Sequence, residues 1–151
     1  MMNDLASKYM GIGVSGKLGL MNFYNENCAR FVKPSRRYHI KDGENWCAMF
    51  TSVIAYMYGR TKDDFPFEVS VGKQVKIALD MGIYTSRTKD FKPDDLIIFD
   101  WQGVKGWPDH VGFIKEINNG IITTIEGNYK GSVGQRKIDI TSKFINGVIS
   151  M

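Results

Sequence analysis

The part of the sequence after Asp94 restricts the fold most strongly. From there on, short apolar runs alternate with turn residues: DLIIFDW, HVGFIKEI, IITTIEGN, VGQRKIDI and INGVI. Such runs, separated by Asn-Asn-Gly or Tyr-Lys-Gly-Ser, predict β-strands joined by tight turns. Parallel neighbours would need crossover connections of about a dozen residues or more, so we expect an antiparallel sheet.

The residues before Asp94 carry helical patterns instead. Residues 19–32 show a loose helical spacing of apolar side chains, and residues 70–81 predict a shorter helix that ends at Gly82. The clearest helix follows Asn45, its expected N-cap, and ends at Gly59. Its apolar face is marked by spacings of three and four residues, at Phe50, Val53, Ile54 and Met57. Helices first and strands afterwards predict an α+β domain.

Length and composition indicate one globular domain over residues 1–151. The chain has 151 residues, and domains typically have about 100–200. It is 43% hydrophobic and has 19 aromatic residues, enough apolar surface to build a core and to disfavour disorder.

The net charge of +4 suits an anionic partner but does not choose among nucleic acid, membrane and cell wall. No run of five like charges occurs, which disfavours nucleic-acid binding. The N-terminal segment MMNDLASKYMGIGVSG lacks a basic stretch followed by an apolar one, and no apolar stretch reaches 18 residues. We therefore expect synthesis in a cytoplasm without a Sec signal, and no membrane insertion.

The scarcity of cysteine and histidine limits the possible chemistry. The chain has two of each: Cys28, Cys47, His39 and His110. This number excludes a disulfide-stapled scaffold and a Cys-rich metal cluster. Any reaction that uses a thiol or an imidazole must use one of these four side chains.

Cys47 and His110 are the candidates for a catalytic pair. Cys47 falls in the first turn of the predicted helix, where the positive end of the helix dipole favours a thiolate. A buried structural cysteine is the alternative at this position. His110 opens a predicted strand, where it can act as a base if a third group orients its ring.

The loop at Asn118-Asn119-Gly120 admits two hairpin registers. A two-residue Asn-Gly turn pairs Asn118 with Ile121, and it puts His110 on the face of Ile125, Gly127 and Tyr129. A three-residue loop pairs Ile117 with Ile121, and it places His110 opposite Asn128 with Glu126 diagonal to it. One residue of shift moves every side chain to the other face.

Only the three-residue loop gathers His110, Glu126 and Asn128, so it is the register that a catalytic site requires. Without such a site, Glu126 and Asn128 are ordinary residues of a strand end. Ile114 and Ile122 share the His110 face in this register. The residues expected on the opposite face are Val111, Phe113, Ile117, Ile121 and Ile125.

These segments together resemble the CHAP domain, the cysteine-, histidine-dependent amidohydrolase/peptidase domain of the papain-like superfamily. The resemblance rests on WCAMFTSVIAY, DLIIFDW, DHVGFIKEINNGIITTIEGN and VGQRKI, in this order. Tyr24-Asn25 upstream and the Ile-Glu-Gly-Asn run look most like phage lysins. The resemblance implies a papain-like α+β fold in which N-terminal helices pack on a C-terminal antiparallel sheet. It also implies that Cys47 is the nucleophile, His110 the general base, and Glu126 and Asn128 the orienting and polarising groups.

By the same resemblance the substrate is peptidoglycan, cut at the muramoyl–alanine amide or at a peptide bond of the stem or cross-bridge. Trp101, Trp107 and Tyr129 lie beside the catalytic segments and are the candidate substrate-binding residues, whereas Trp46 is assigned to core packing. No cofactor is expected. Relatives that bind calcium use an Asp-rich loop before the cysteine, and residues 41–45 have too few oxygen ligands for such a loop, so we expect no required metal.

The biological setting stays open at this point. A phage lysin that reaches the wall after release, or as a virion component with phage tail partners, is the first interpretation. An interbacterial amidase toxin would share the chemistry. A tail or wall-binding structural protein would keep the fold without cutting. Cys28 and His39 are assigned no catalytic role: Cys28 is expected to be buried and His39 to lie on the surface.

Overall fold

Helices precede strands in the computed structural model, which describes residues 1–32, 45–86, 90–103 and 107–151. The helices are α1 (Met2–Ser7), α2 (Val14–Phe23), α3 (Cys47–Tyr58) and α4 (Val71–Asp80). A π-helical turn (Tyr24–Cys28) and a 3-10 turn (Ala29–Phe31) follow α2. The strands are β1 (Tyr84–Ser86), β2 (Leu96–Phe99), β3 (His110–Asn118), β4 (Ile121–Tyr129), β5 (Ser132–Asp139) and β6 (Ile145–Ile149).

The strands form one antiparallel sheet in the order β1-β6-β2-β3-β4-β5. The four strands from β2 to β5 are consecutive in sequence, as the short connections predicted, and β6 returns to pair with β2. The predicted α+β class with an antiparallel sheet is confirmed. The short strand β1, which carries no clear apolar alternation, was not predicted.

Helix α3 is the central helix of the fold. All its residues from Cys47 to Ala55 are buried, so it is enclosed on every side rather than along one face. It ends at Gly59, whose φ of 104° is the left-handed conformation predicted for this position. The prediction that Asn45 is its N-cap is wrong. Trp46 takes that position, because the chain turns into the helix one residue later than the polar side chain suggests.

The core has two parts, one on each face of the sheet. The larger lies under the helices and contains most of α3 together with Val111, Phe113 and Ile125. The smaller covers the other face and includes Phe99, with Trp101 packed against it. At Gly127 the sheet approaches α3 so closely that a Cβ atom would lie 2.4 Å from Cβ of Phe50. A residue without a side chain therefore lets the end of β4 reach the start of α3.

The β3–β4 hairpin corrects the predicted turn. Asn118 pairs with Ile121 across a two-residue turn in which Asn119 and Gly120 both have positive φ, so the expected three-residue loop is wrong. A β-bulge at Lys115 then shifts the register by one residue, so that Phe113 pairs with Ile125. The predicted register at the His110 end is thus restored by the bulge and not by the loop.

The bulge also corrects two predicted side-chain positions near the turn. Ile117 packs with Ile114 and Ile122 in the smaller core rather than with Val111, and Ile121 is 37% exposed. Closer to His110 the expected faces hold, since Ile114 and Ile122 lie opposite Val111 and Ile125. Within the part of the chain that the structure describes, no helix is both long enough and apolar enough to cross a membrane.

Candidate active site

Cys47 is the first residue of α3, and its side chain is only 1% exposed. Its backbone N–H donates to Oδ1 of Asn45 at 3.4 Å, a long and therefore weak hydrogen bond. The thiol is close enough to His110 to raise the pKa of its imidazole. The structure thus brings together the two residues that the sequence offered as a catalytic pair.

His110 is the first residue of β3, and its other contact orients the ring. Nε2 of His110 lies 2.6 Å from Oε1 of Glu126, which is fully buried. A carboxylate can only accept a hydrogen bond, so the proton of this bond is on Nε2, and Nδ1 is the ring nitrogen that this bond leaves unused. Glu126, and not Asn128, is therefore the residue that fixes the imidazole.

The pKa of His110 reflects this position between two acidic groups. Burial lowers the pKa of the imidazole, but hydrogen bonds to Cys47 and Glu126, together with their charges, raise it more, to about 9. The site accordingly favours the imidazolium form at neutral pH.

Glu126 accepts hydrogen bonds from three side chains. Besides His110, Nε of Arg136 donates to Oε2 at 2.8 Å and Nη2 donates to Oε1 at 3.0 Å. The hydroxyl of Thr124 also donates to Oε2. Burial raises the pKa of this carboxyl, but the bonds to His110, Arg136 and Thr124 and the charge of His110 outweigh burial and hold it below its usual value.

The backbone at Gly112 leaves the space that Glu126 needs. A Cβ atom at Gly112 would lie 2.6 Å from Cγ of Glu126 and 3.2 Å from the carbonyl oxygen of Ile125. This close approach explains the glycine of the Asp-His-Val-Gly run. The aspartate of that run, Asp109, accepts from the backbone N–H groups of Trp101 and Gln102 at 3.1 Å each, which fixes the chain end of β2 beside His110.

Asn128 contacts a residue that the sequence analysis treated only as a helix cap. Nδ2 of Asn128 donates to Oδ1 of Asn45 at 2.9 Å, and Nδ2 of Asn45 donates to the carbonyl oxygen of Asp109 at 3.4 Å. Since Asn45 also accepts from Cys47, one carboxamide links the end of β4, the start of α3 and the residue before His110. Asn128 has a φ of 59°, which asparagine tolerates better than most residues.

A groove of about 220 Å³ opens at Cys47. Its walls come from the segment that leads into α4 and from the segment before β3. The lining residues are Asn45, Cys47, Val69, Ser70, Val71, Gly72, Trp107, Pro108 and Asp109. Trp107 is 55% exposed, and its ring lies over Gly72. The structure therefore places Trp107, one of the predicted substrate-binding residues, on the wall beside the thiol.

The other two predicted substrate-binding residues surround Arg136 instead. The guanidinium carbon lies 4.5 Å from the ring centre of Trp101 and 4.7 Å from that of Tyr129. Trp101 also stacks on Phe99 at 4.8 Å. Trp46 is buried and meets Phe50 edge to face, in agreement with core packing.

Sequence reasoning missed Arg136 and the role of Asn45. Arg136 pairs with Thr124 across β4 and β5, two residue pairs from Glu126 and Gly134 and so on the same face of the sheet. A buried glutamate demands a cation, and β5 offers Arg136 and Lys137 on opposite faces. Only the strand register tells which of the two reaches it.

The remaining candidates lie apart from this site. Cys28 is fully buried, and burial raises the pKa of its thiol to about 12, in line with a structural cysteine. His39 and residues 41–44 lie outside the described residues. Among residues 1–32, 45–86, 90–103 and 107–151, no group of three or more His, Cys, Asp or Glu side chains could hold a metal ion.

Comparison with known families shows to which family this chain belongs. The sequence model of the family described as CHAP domain matches residues 20–128, which include the whole constellation of Cys47, His110, Glu126 and Asn128. The chain belongs to the CHAP domain family. CHAP domains are hydrolases of the amidase and peptidase type.

Solved structures agree on the fold. The chain described as "The crystal structure of Ly7917" is similar to this CHAP domain with a TM-score of 0.50 and 16% sequence identity. The match covers 86% of this chain and 62% of that chain, so the present chain spans less than two thirds of that structure. No curated protein matches the sequence.

Proposed function

We propose that this CHAP domain is a cysteine amidohydrolase or peptidase that cuts an amide bond of peptidoglycan through an acyl-enzyme. One observation carries the proposal: Nε2 of His110 is held by Glu126, and the thiol of Cys47 is close enough to the same ring to raise its pKa. A nucleophile, a base and a group that orients the base, in hydrogen-bonding sequence, are what acyl transfer to a thiol needs.

In the first half of the reaction, Cys47 acts as a thiolate and His110 as an imidazolium. The sulfur attacks the carbonyl carbon of the amide, and a C–S bond forms as the carbonyl becomes a tetrahedral oxyanion. When this intermediate collapses, the C–N bond breaks and His110 gives its proton to the departing amine. The products of this half are the free amine and a thioester on Cys47.

In the second half, water replaces the amine. The now neutral His110 takes a proton from water, which attacks the thioester carbon, and the C–S bond breaks to release a carboxylic acid and the thiolate. Glu126 keeps Nε2 protonated throughout, so that Nδ1 is always the nitrogen that exchanges the proton.

The start of α3 supplies donors for the oxyanion. The first N–H groups of a helix have no partner within the helix, and the positive end of its dipole favours negative charge. The N–H of Cys47 now donates to Asn45 over 3.4 Å, a weak bond that an oxyanion can displace.

The groove beside Cys47 supports a role for Trp107 in binding the substrate. We propose that its exposed ring packs on the stem peptide or on a sugar of the glycan strand. Trp101 and Tyr129, which were predicted for the same role, have ring faces close to Arg136, and their contribution to binding is proposed to be secondary.

Loss of turbidity of purified cell walls tests the proposal. The wild-type protein should clear a suspension of walls and Cys47→Ala should not. Cys28→Ala is the matched control, since it removes the other thiol and should leave the rate of clearing intact. Equal clearing by wild type and Cys47→Ala would falsify the cysteine mechanism. Mass spectrometry of the soluble products identifies the bond that is cut.

The setting that we propose is a phage lysin, made in a cytoplasm and acting on the wall after release or as part of a virion. The lysin-like Tyr24-Asn25 and Ile125-Glu126-Gly127-Asn128 runs support it, and a net charge of +4 favours adsorption to an anionic wall. For a phage lysin, we expect a gene for a membrane-permeabilising lysis protein next to the gene of this chain. For a virion component, we expect to find this chain in purified virions. A neighbouring immunity gene would favour the toxin instead.

A further inference from the structure

Arg136 makes a two-pronged contact with the carboxylate that orients His110. Its Nε and Nη2 atoms reach the two different oxygens of Glu126, at 2.8 and 3.0 Å. A guanidinium that binds both oxygens fixes the plane of a carboxylate as well as its position. Arg136 on β5 therefore fixes the orientation of the Glu126 carboxylate toward Nε2 of His110. It does so from the strand beyond β4, one strand further from the imidazole.

Three aromatic rings hold the guanidinium in place. Its carbon lies 4.5 Å from the ring centre of Trp101, 4.7 Å from that of Tyr129 and 5.7 Å from that of Phe99. Rings at these distances attract a cation through their negative faces and restrict its rotation. Arg136 is 24% exposed, so these contacts are only partly open to water.

The charge of Arg136 matters most when His110 is neutral. During the reaction His110 gives up its proton, and the fully buried Glu126 then loses its cationic partner on that side. A buried carboxylate without a nearby positive charge takes up a proton. A protonated Glu126 would donate to the ring, and the ring proton would move to Nδ1, the nitrogen that must accept a proton from water.

We propose that Arg136 is a positioning residue of the reaction: it keeps Glu126 ionised and aligned through the neutral stage of His110, so that the ring proton stays on Nε2. This proposal rests on the proposed function for its catalytic consequence. Its electrostatic part concerns the free protein and can be tested without any substrate.

The charged groups around His110 set the expected direction. Among the described residues, the titratable groups that face the ring are Cys47 from α3 and Glu126 from β4, and Arg136 from β5 acts on it through Glu126. Removal of a positive charge from this group makes the next proton easier to bind. The pKa of His110 should therefore rise when Arg136 is replaced by a neutral residue.

Nitrogen-15 NMR of the imidazole rings is the decisive measurement, with His39→Gln to assign the two histidines. In the wild type, the neutral ring of His110 should carry its proton on Nε2. In R136Q the pKa should move up by about half a unit or more, and the neutral ring should become a mixture of the Nε2–H and Nδ1–H forms. In R136K, which keeps a cation, the ring should stay largely Nε2–H. R60Q removes an arginine that pairs with Asp64 outside the site and should leave the titration unchanged.

Wall hydrolysis supplies the catalytic readout. In R136Q, kcat should fall about 10- to 100-fold, a share of the roughly 10²–10⁴-fold that acid–base catalysis contributes, with KM changed less than about twofold. R136K should recover part of kcat. A merely structural role would lower the melting temperature without moving the tautomer.

The outcomes separate the two proposals. A folded R136Q whose His110 has the wild-type pKa and tautomer overturns the role of Arg136, whatever the hydrolysis assay shows. If R136Q does not fold, R136K decides: a neutral His110 ring that stays largely Nε2–H supports the positioning role, and a ring that carries its proton mainly on Nδ1 overturns it. A wild type that cuts no wall overturns the proposed function, and the NMR result still decides the part played by Arg136.

Discussion

The side chain of Glu126 crosses β3 directly over Gly112, where a Cβ atom would come within 2.6 Å of its Cγ. This contact joins the Asp-His-Val-Gly run to the Ile-Glu-Gly-Asn run. It shows that the orienting carboxylate reaches His110 only because the residue two places after His110 has no side chain.

Gly112→Ala should therefore lower activity more than stability. The methyl group forces Glu126 away from Nε2 of His110, and the oxygen of Ile125 at 3.2 Å prevents the backbone from absorbing the strain. We expect a loss of about 1–3 kcal/mol in the free energy of unfolding, as for other overpacked sites, and a fall in kcat of at least about tenfold. Denaturant unfolding and wall hydrolysis measure the two effects.

Gly19→Ala is the matched control, because nothing lies within 4 Å of the Cβ position there. It should leave kcat unchanged. Wild-type kcat in a folded Gly112→Ala protein would contradict the space requirement of Glu126.

Glu126→Gln tests the carboxylate itself. The amide has nearly the same shape but no charge, so it ceases to stabilise the imidazolium and leaves Arg136 without its anion. The pKa of His110 should fall, and kcat should drop by about 10²–10⁴-fold, as when the acidic member of a catalytic triad is neutralised. Glu116→Gln, on the exposed part of β3, is the control. An unchanged pH profile in Glu126→Gln would argue against the orienting role.

The pH dependence of kcat/KM should show a decline on the alkaline side with an apparent pKa of about 9. His110 must be protonated to release the amine, and its pKa is raised to about 9 by Cys47 and Glu126 acting against burial. Activity should persist as pH rises past the usual histidine value of about 6.5 and be lost as pH rises through 9. Initial rates in buffers from pH 6 to pH 10.5, at constant ionic strength, measure the profile. A decline centred near pH 6.5 would contradict it.

Asn45 and Asn128 should behave as one unit. Because Asn128 donates to Asn45, which in turn contacts Cys47 and the residue before His110, loss of either carboxamide breaks the same link. Asn45→Ala and Asn128→Gly should each reduce kcat/KM several-fold, and the double variant should be no worse than the more severe single one. Glycine is used at residue 128 because it keeps the φ of 59° without strain. Additive losses would show that the two side chains act separately.

Trp107→Ala should raise KM with little change in kcat. The ring lines the groove and lies over Gly72, so we expect its loss to remove binding that is equal in the ground and transition states. Leu79→Ala removes a side chain of similar exposure, 56% against 55%, away from the groove and should change neither constant. An unchanged KM in Trp107→Ala would show that Trp107 does not bind the substrate.

Local patterns determined much of this protein. The spacing of apolar residues in α3, the turn residues between strands and the positive-φ position at Gly59 depend on neighbours in sequence, and they predicted the elements and their order. The same local logic put Cys47 at a helix start and His110 at the start of a strand. The resemblance to the CHAP family supplied the roles that these positions alone do not specify.

The site, however, is assembled by contacts between distant segments. The hairpin turn favoured by Asn119-Gly120 would have sent His110 and Glu126 to opposite faces, and only the bulge at Lys115 brings them together. Nothing in the local pattern marks Lys115 as the extra residue.

The sequence by itself thus determined the main helices and strands, because these follow from short-range periodicity, and its resemblance to the family offered Cys47 and His110 as the reactive pair. Only the tertiary structure decided that Glu126 rather than Asn128 holds His110, that Asn128 acts on Asn45, and that Arg136 rather than Lys137 reaches Glu126. The physical reason is that a side chain's face depends on register, and register is fixed by the packing of whole strands against one another.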